Sequence, residues 1–100
     1  MESKAPTVQL QLEMKQNLAR MNEIRGKLME LDVQRAITRH VAAVAERTIA
    51  EQNASSGADA SVVNNQRLII AQCGEKLAAF DIDAAKLMQE HDKIRVAVGG

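Results

Sequence analysis

Tryptophan and tyrosine are absent from this 100-residue chain, and Phe80 is its one aromatic residue. A sheet core draws on aromatic and β-branched side chains, whereas much of the 46% hydrophobic content here is alanine, so the composition favours helix packed on helix. The expectation is an all-α protein. Cysteine occurs once, as Cys73, which excludes an intrachain disulfide and a paired-cysteine zinc site and fits a reducing compartment. Proline also occurs once, as Pro6, so nothing beyond the amino terminus carries the strongest helix breaker. Neither sign of charge is in excess, since thirteen basic residues balance thirteen acidic ones along the whole chain. Without a basic block, non-specific binding to nucleic acid or to an anionic membrane is not expected. No apolar run approaches the roughly 18 residues that span a bilayer, and the amino-terminal residues Met1 to Thr7 lack a hydrophobic signal core. A soluble, cytosolic protein is expected.

What is present is helical periodicity. Val63, Gln66, Ile70, Cys73, Leu77, Phe80, Ala84, Leu87, His91, Ile94 and Val98 follow one another at alternating steps of three and four. That spacing keeps them on one stripe of a helix, and such a stripe needs a second helix to cover it. Upstream, Met14, Leu18, Met21, Ile24, Leu28, Leu31, Ile37, Val41, Val44 and Thr48 keep a broadly helical spacing, with Val33 and Ala36 bridging a shift near Gln34 and Arg35. Between the two segments, Asn53 to Ala58 is a cluster of small polar residues that reads as a loop.

These signals give a flexible tail over 1–6, a first helix over about 7–52, a loop over 53–58 and a second helix over about 59–98. Pro6 and Thr7 offer the first helix start, and Ser56 with Asp59 has capping-box spacing, which places the second start near Gly57. Gly26 is a local weakness in the first helix, and Gly99 and Gly100 mark the end of the second. The simplest object is a long antiparallel helical hairpin, a coiled-coil-like rod on the order of 60 Å. Its register brings Val41 near Ile70, Leu31 near Phe80, Ile24 near Leu87 and Met21 near His91.

Leu68 and Ile82 lie opposite the second stripe, and Leu10, Leu12 and Val33 lie beside the first, so these residues want a cover. A break near residues 81–83, capped by Asp81 or Asp83, would let the last residues fold back into a three-helix bundle. A partner protein or a second copy of the chain would serve as well, so monomer and homodimer both stay open.

No chemistry-bearing motif is present: no nucleotide-binding glycine loop, no His-Glu-x-x-His and no serine in a nucleophile elbow. Neither an enzyme nor a metal or other cofactor is expected. His91 reads as a half-buried seam residue, and Asp81, Asp83, Glu90 and Asp92 as solvated helix charges that point around the helix. Gln66 reads as a polar residue that sets register, and Met14, Met21, Met29 and Met88 as core filler. Arg67, Glu75, Lys76 and Lys86 form a charged flank, either an ordinary wet face or a polar protein-binding surface.

The run from Arg67 to Phe80 resembles the second-helix signature of the tubulin-folding cofactor A family, with Arg67, Ile70, Cys73, Lys76, Leu77, Ala79 and Phe80 in matching places and Ala71 where that family often has proline. Leu10, Leu12, Lys15, Arg20 and Met21 resemble its first helix more loosely. The resemblance implies a small cytoplasmic, cytoskeleton-associated chaperone with a three-helix fold. Such a chaperone captures β-tubulin after its release from the chaperonin and holds it for assembly of the αβ heterodimer, without catalysis or nucleotide. It also points to Arg67, Leu68, Glu75, Lys76 and Ile82 as the residues that meet the client. Two other non-enzymatic readings fit the same sequence: a helical-hairpin subunit of a larger coiled-coil complex, and a small helical secretion chaperone.

Overall fold

Helical periodicity without internal proline becomes two long helices in the computed structural model, which describes residues 4–99. Helix α1 spans Lys4–Ala54 and α2 spans Ala60–Gly99, and together they form an antiparallel hairpin, with no strand among the described residues. Helix α1 begins at Lys4 instead of Thr7. Pro6 therefore sits inside the first turn, where its missing N–H costs no hydrogen bond because the first four donors of a helix have no intrahelical partner. The flexible tail expected over 1–6 overlaps α1 at residues 4–6, and its remainder, residues 1–3, lies outside the described residues, as does Gly100.

The connection is residues 55–59, slightly later than the expected 53–58. Ser55 N–H donates to the Gln52 carbonyl at 3.1 Å, which closes the last turn of α1, and Gly57 N–H donates to Ser55 Oγ at 3.2 Å. Asp59 N–H reaches back to Gln52 Oε1 at 3.2 Å, tying the start of α2 to the end of α1. The cap of α2 is Asp59 itself: its Oδ1 accepts from Ser61 N–H and Ser61 Oγ, both at 2.9 Å, and its carbonyl accepts from Val63 N–H at 3.2 Å. The Ser56 cap and a start near Gly57 are thus corrected by three residues. The Ser61 hydroxyl and amide hold the Asp59 carboxyl below its ordinary range.

The break near 81–83 does not occur, because α2 runs through it as one helix and its seam keeps step on both sides. The three-helix alternative is therefore not adopted. Asp81 and Asp83, free to cap a helix in sequence, lie in mid-helix, where Asp81 accepts from Arg35 instead.

The chain divides into two compact units, one made of residues 1–30 and 84–100 and the other of residues 31–83. In the first unit, the α1 residues Met21 and Ile24 and the α2 residue Ala84 are buried, with Leu28, Leu87, His91, Ile94 and Val98 half-buried around them. Among the described residues Ile24 is the one large side chain fully removed from solvent, at 0% exposure. Arg20 reaches across to Glu90 as a two-pronged pair, Nε to Oε1 at 2.7 Å and Nη2 to Oε2 at 2.9 Å.

In the second unit the buried residues are Thr38 and Ala45 on α1 and Val63 and Cys73 on α2. The α2 stripe is the one read from the sequence, with all of its members from Val63 to Phe80 buried or half-buried. The α1 stripe differs. Leu31, Arg35, Thr38, Ala42, Ala45, Ile49 and Gln52 turn inward, while Ile37, Val41 and Val44 stay 53%, 43% and 43% exposed. The large α2 residues Ile70, Leu77 and Phe80 need small or slender residues across the seam, so between Leu31 and Ile49 the bulkier α1 residues are rotated outward. Thr38 hides its hydroxyl by donating to the Gln34 carbonyl at 2.8 Å.

Candidate functional site

Two kinds of surface are set up by this folding: cross-helix ion pairs over the seams, and apolar faces that the seams leave uncovered. In the second unit Arg35 occupies a seam position on α1 and is only 22% exposed. One arm of its guanidinium bonds Asp32 at 3.2 Å on the same helix and the other bonds Asp81 at 2.8 Å on α2, while Nε is buried without a partner. The residue thus acts as a clamp between the helices. Nothing in the sequence marked it as one, since an arginine between apolar neighbours reads as an interruption of the stripe.

In the first unit Arg20 has the corresponding part. Its hydrogen bonds to Glu90 and Glu23 hold both carboxyls below the usual glutamate range, and Lys27 adds to the effect on Glu23. The pairs are half exposed, so solvent screens them and their value is modest. The pH dependence follows from the direction of the shifts. Both carboxyls have folded values below the ordinary 4.5, so their contribution is complete above about pH 4.5 and is lost as pH falls through the lower folded values. The thermal midpoint should stay level from about pH 7 to about pH 5 and then decline in acid. In a differential scanning series, Arg20→Gln should make that decline shallower; an unchanged slope would remove these carboxyls as its cause.

His91 is half-buried on the α2 seam, as expected, with its Nε2 buried and unpartnered. It lines a small cavity of about 220 Å³ with Arg25, Leu28, Met88 and Asp92. His40 is exposed and belongs to the other unit. Among the described residues no group of three or more His, Cys, Asp or Glu side chains is placed to hold a metal ion. No described helix is long and apolar enough to cross a membrane.

The residues picked from the sequence fall on three sides of the second unit. Leu68, Glu75 and Ile82 are spaced by sevens and lie along the outer face of α2, all exposed, Leu68 at 58% and Ile82 at 57%, while Arg67, also exposed, is turned about 100° from them toward one flank. Lys76 is turned toward the opposite flank. It lines a groove of about 380 Å³ on another side, together with Gln34, Ile37, Thr38, Val41, Cys73 and Phe80. Of the residues that carry the family resemblance, Ile70, Cys73, Leu77 and Phe80 are seam residues that any such hairpin needs, while Arg67, Lys76 and Ala79 are exposed.

Sequence reasoning missed the α1 face formed by Ile37, Val41 and Val44, because it placed these residues in the core. Their step from Thr38 and Ala45 by a single position was the available signal. Of the four methionines read as core filler, only Met21 is buried; Met14, Met29 and Met88 are 48–69% exposed.

No family model matches the chain, and no curated protein or solved structure matches it either.

Proposed function

We propose that this chain is a non-enzymatic helical binding protein that holds another protein along its outer faces. The observation that carries this reading is the inverted distribution of apolar bulk. Among the described residues six apolar side chains are buried, while fourteen large ones, including Leu10, Leu12, Ile37, Val41, Leu68 and Ile82, remain 43–69% exposed. A two-helix hairpin cannot enclose that much apolar surface, and exposed apolar stripes rimmed by charge are what helical partners dock on. The client to which the Arg67 to Phe80 run points is β-tubulin, and the outer face of α2, with Leu68, Glu75 and Ile82 and with Arg67 on its flank, is the surface offered to it. Lys76 is assigned to the groove instead of this face.

The test is capture of newly released β-tubulin by the purified chain, read as a distinct complex on a native gel, with α-tubulin as control. A complex with β-tubulin alone is the expected result. Its absence, from a chain shown by circular dichroism to be helical, would overturn the β-tubulin client. The subunit reading has its own support, because apolar residues are exposed on both helices and in both units, Met88 and Val96 on α2 among them. A subunit of a larger helical assembly would use several such faces at once.

A further inference from the structure

The α1 face of the second unit is not part of the surface offered to the client, and its residue pattern specifies an occupant. Gln34, Ile37, Val41, Val44, Thr48 and Glu51 follow at steps of three, four, three, four and three, a second stripe beside the seam. The spacing is the same read in either direction. When the stripe is laid antiparallel on itself about a two-fold axis between residues 42 and 43, Val41 meets Val44, Ile37 meets Thr48 and Gln34 meets Glu51, each pair occurring twice. Spacing that reads the same in both directions permits a two-fold contact between identical chains, and the charges at its ends select that occupant.

Charge points the same way. Lys76 on α2 lies beside Gln34 in the groove, and Glu51 ends the stripe seventeen residues from Gln34, about 25 Å along the helix at 1.5 Å per residue. Among the described residues neither Lys76 nor Glu51 makes an ion pair within the chain. The antiparallel register carries Glu51 of a second copy to the Gln34 end of the groove, within reach of Lys76, and the two-fold axis repeats the pair at the other end. Branched apolar residues fill the middle and opposite charges close both ends.

We infer that the Gln34–Glu51 face of α1 is a homodimer interface, in which a second copy of this chain lies antiparallel across the Ile37–Val41 groove with Glu51 of each copy on Lys76 of the other. The client face around Leu68 and Ile82 is left open by this arrangement, so the inference stands or falls independently of the client's identity.

Sedimentation equilibrium over a range of concentrations tests it, with helicity of every variant checked by circular dichroism; the substituted positions are surface ones. Wild type is expected to be a dimer. Val41→Glu should weaken the dimer at least about 100-fold, by placing two buried carboxylates near the axis. Lys76→Glu and Glu51→Lys should each weaken it about tenfold, and the double exchange should restore it to within about threefold, since the pair is re-formed with reversed polarity. Three results would overturn the inference: a wild-type monomer at about 1 mM, a Val41→Glu dimer as tight as wild type, or a double exchange no tighter than the single ones. A monomer that binds an unrelated amphipathic helix through Ile37 and Val41 would assign the groove to a foreign partner instead.

Discussion

Ile24→Ala is expected to destabilise the protein by about 2–5 kcal/mol, the largest effect of any single substitution considered for this fold. Ile24 is fully buried in the first unit, and a hairpin has few such positions with which to share the loss. Removing three carbons there forfeits their transfer from water and leaves a void that two rigid helices cannot collapse around. The other buried residues of its unit, Met21 and Ala84, are a flexible side chain and a methyl group. Met21 is the one able to move into the space, which favours the lower half of that range. Chemical denaturation followed by circular dichroism measures the effect. A loss under about 1 kcal/mol would show that Ile24 is not the anchor of its unit.

The second large effect has the opposite sign. Gly26→Ala combined with Gly74→Ala is expected to stabilise by about 2 kcal/mol, about 1 kcal/mol from each, because both glycines lie in helix interiors where alanine loses less backbone entropy. Both sites have room: a Cβ at either position would find nothing within 4 Å. They fall in different units, so the two gains should add. For a domain of this size the thermal midpoint should rise by about 8–16 °C. If either alanine lowered the midpoint, the glycine would be held there by a close approach in a complex, and Gly74, one residue from the seam residue Cys73, is where that would show first.

How far the sequence could be read depended on where size and spacing agreed. On α2 they agree along the whole seam: from Val63 to Val98 its members recur at steps of three and four, and all of them turn inward. On α1 they agree from Met21 to Leu31 and then part. Between Leu31 and Ile49 the largest apolar residues are Val33, Ile37, Val41 and Val44, and a reading that follows bulk puts the last three in the core. The inward positions belong instead to Arg35, Thr38, Ala42 and Ala45, chosen by what faces them on α2, which a stripe read on one helix alone does not reveal. Thr48, which the same reading selects, and Ile49 beside it are both half-buried. Polar groups made the same difficulty in another form. Arg35 and Arg20 look like solvated charges in sequence, and only the register of the opposite helix brings Asp81 and Glu90 to them. The Asp59 cap was shadowed by an equally suitable serine three residues earlier.

The candidate client face was legible in part. Leu68 and Ile82 break the α2 pattern on the side away from the seam, and both are exposed in the fold. Arg67 and Lys76 were grouped with them through the family resemblance, and one position along a helix turns a side chain by about 100°, so the two lie on opposite flanks of that face. The α1 face escaped notice because its residues had been spent on the core.

Separation of folding from binding is the central claim: apolar residues on the outer faces serve partners and not the hairpin itself. The direct measurement is made on Leu68→Gln/Ile82→Gln, comparing its unfolding free energy and its capture of β-tubulin with those of wild type. Stability should change by no more than about 0.5 kcal/mol per substitution, since both positions are surface ones, while the β-tubulin complex should be lost. A variant that folds as wild type and still captures β-tubulin undiminished would contradict the assignment of that face.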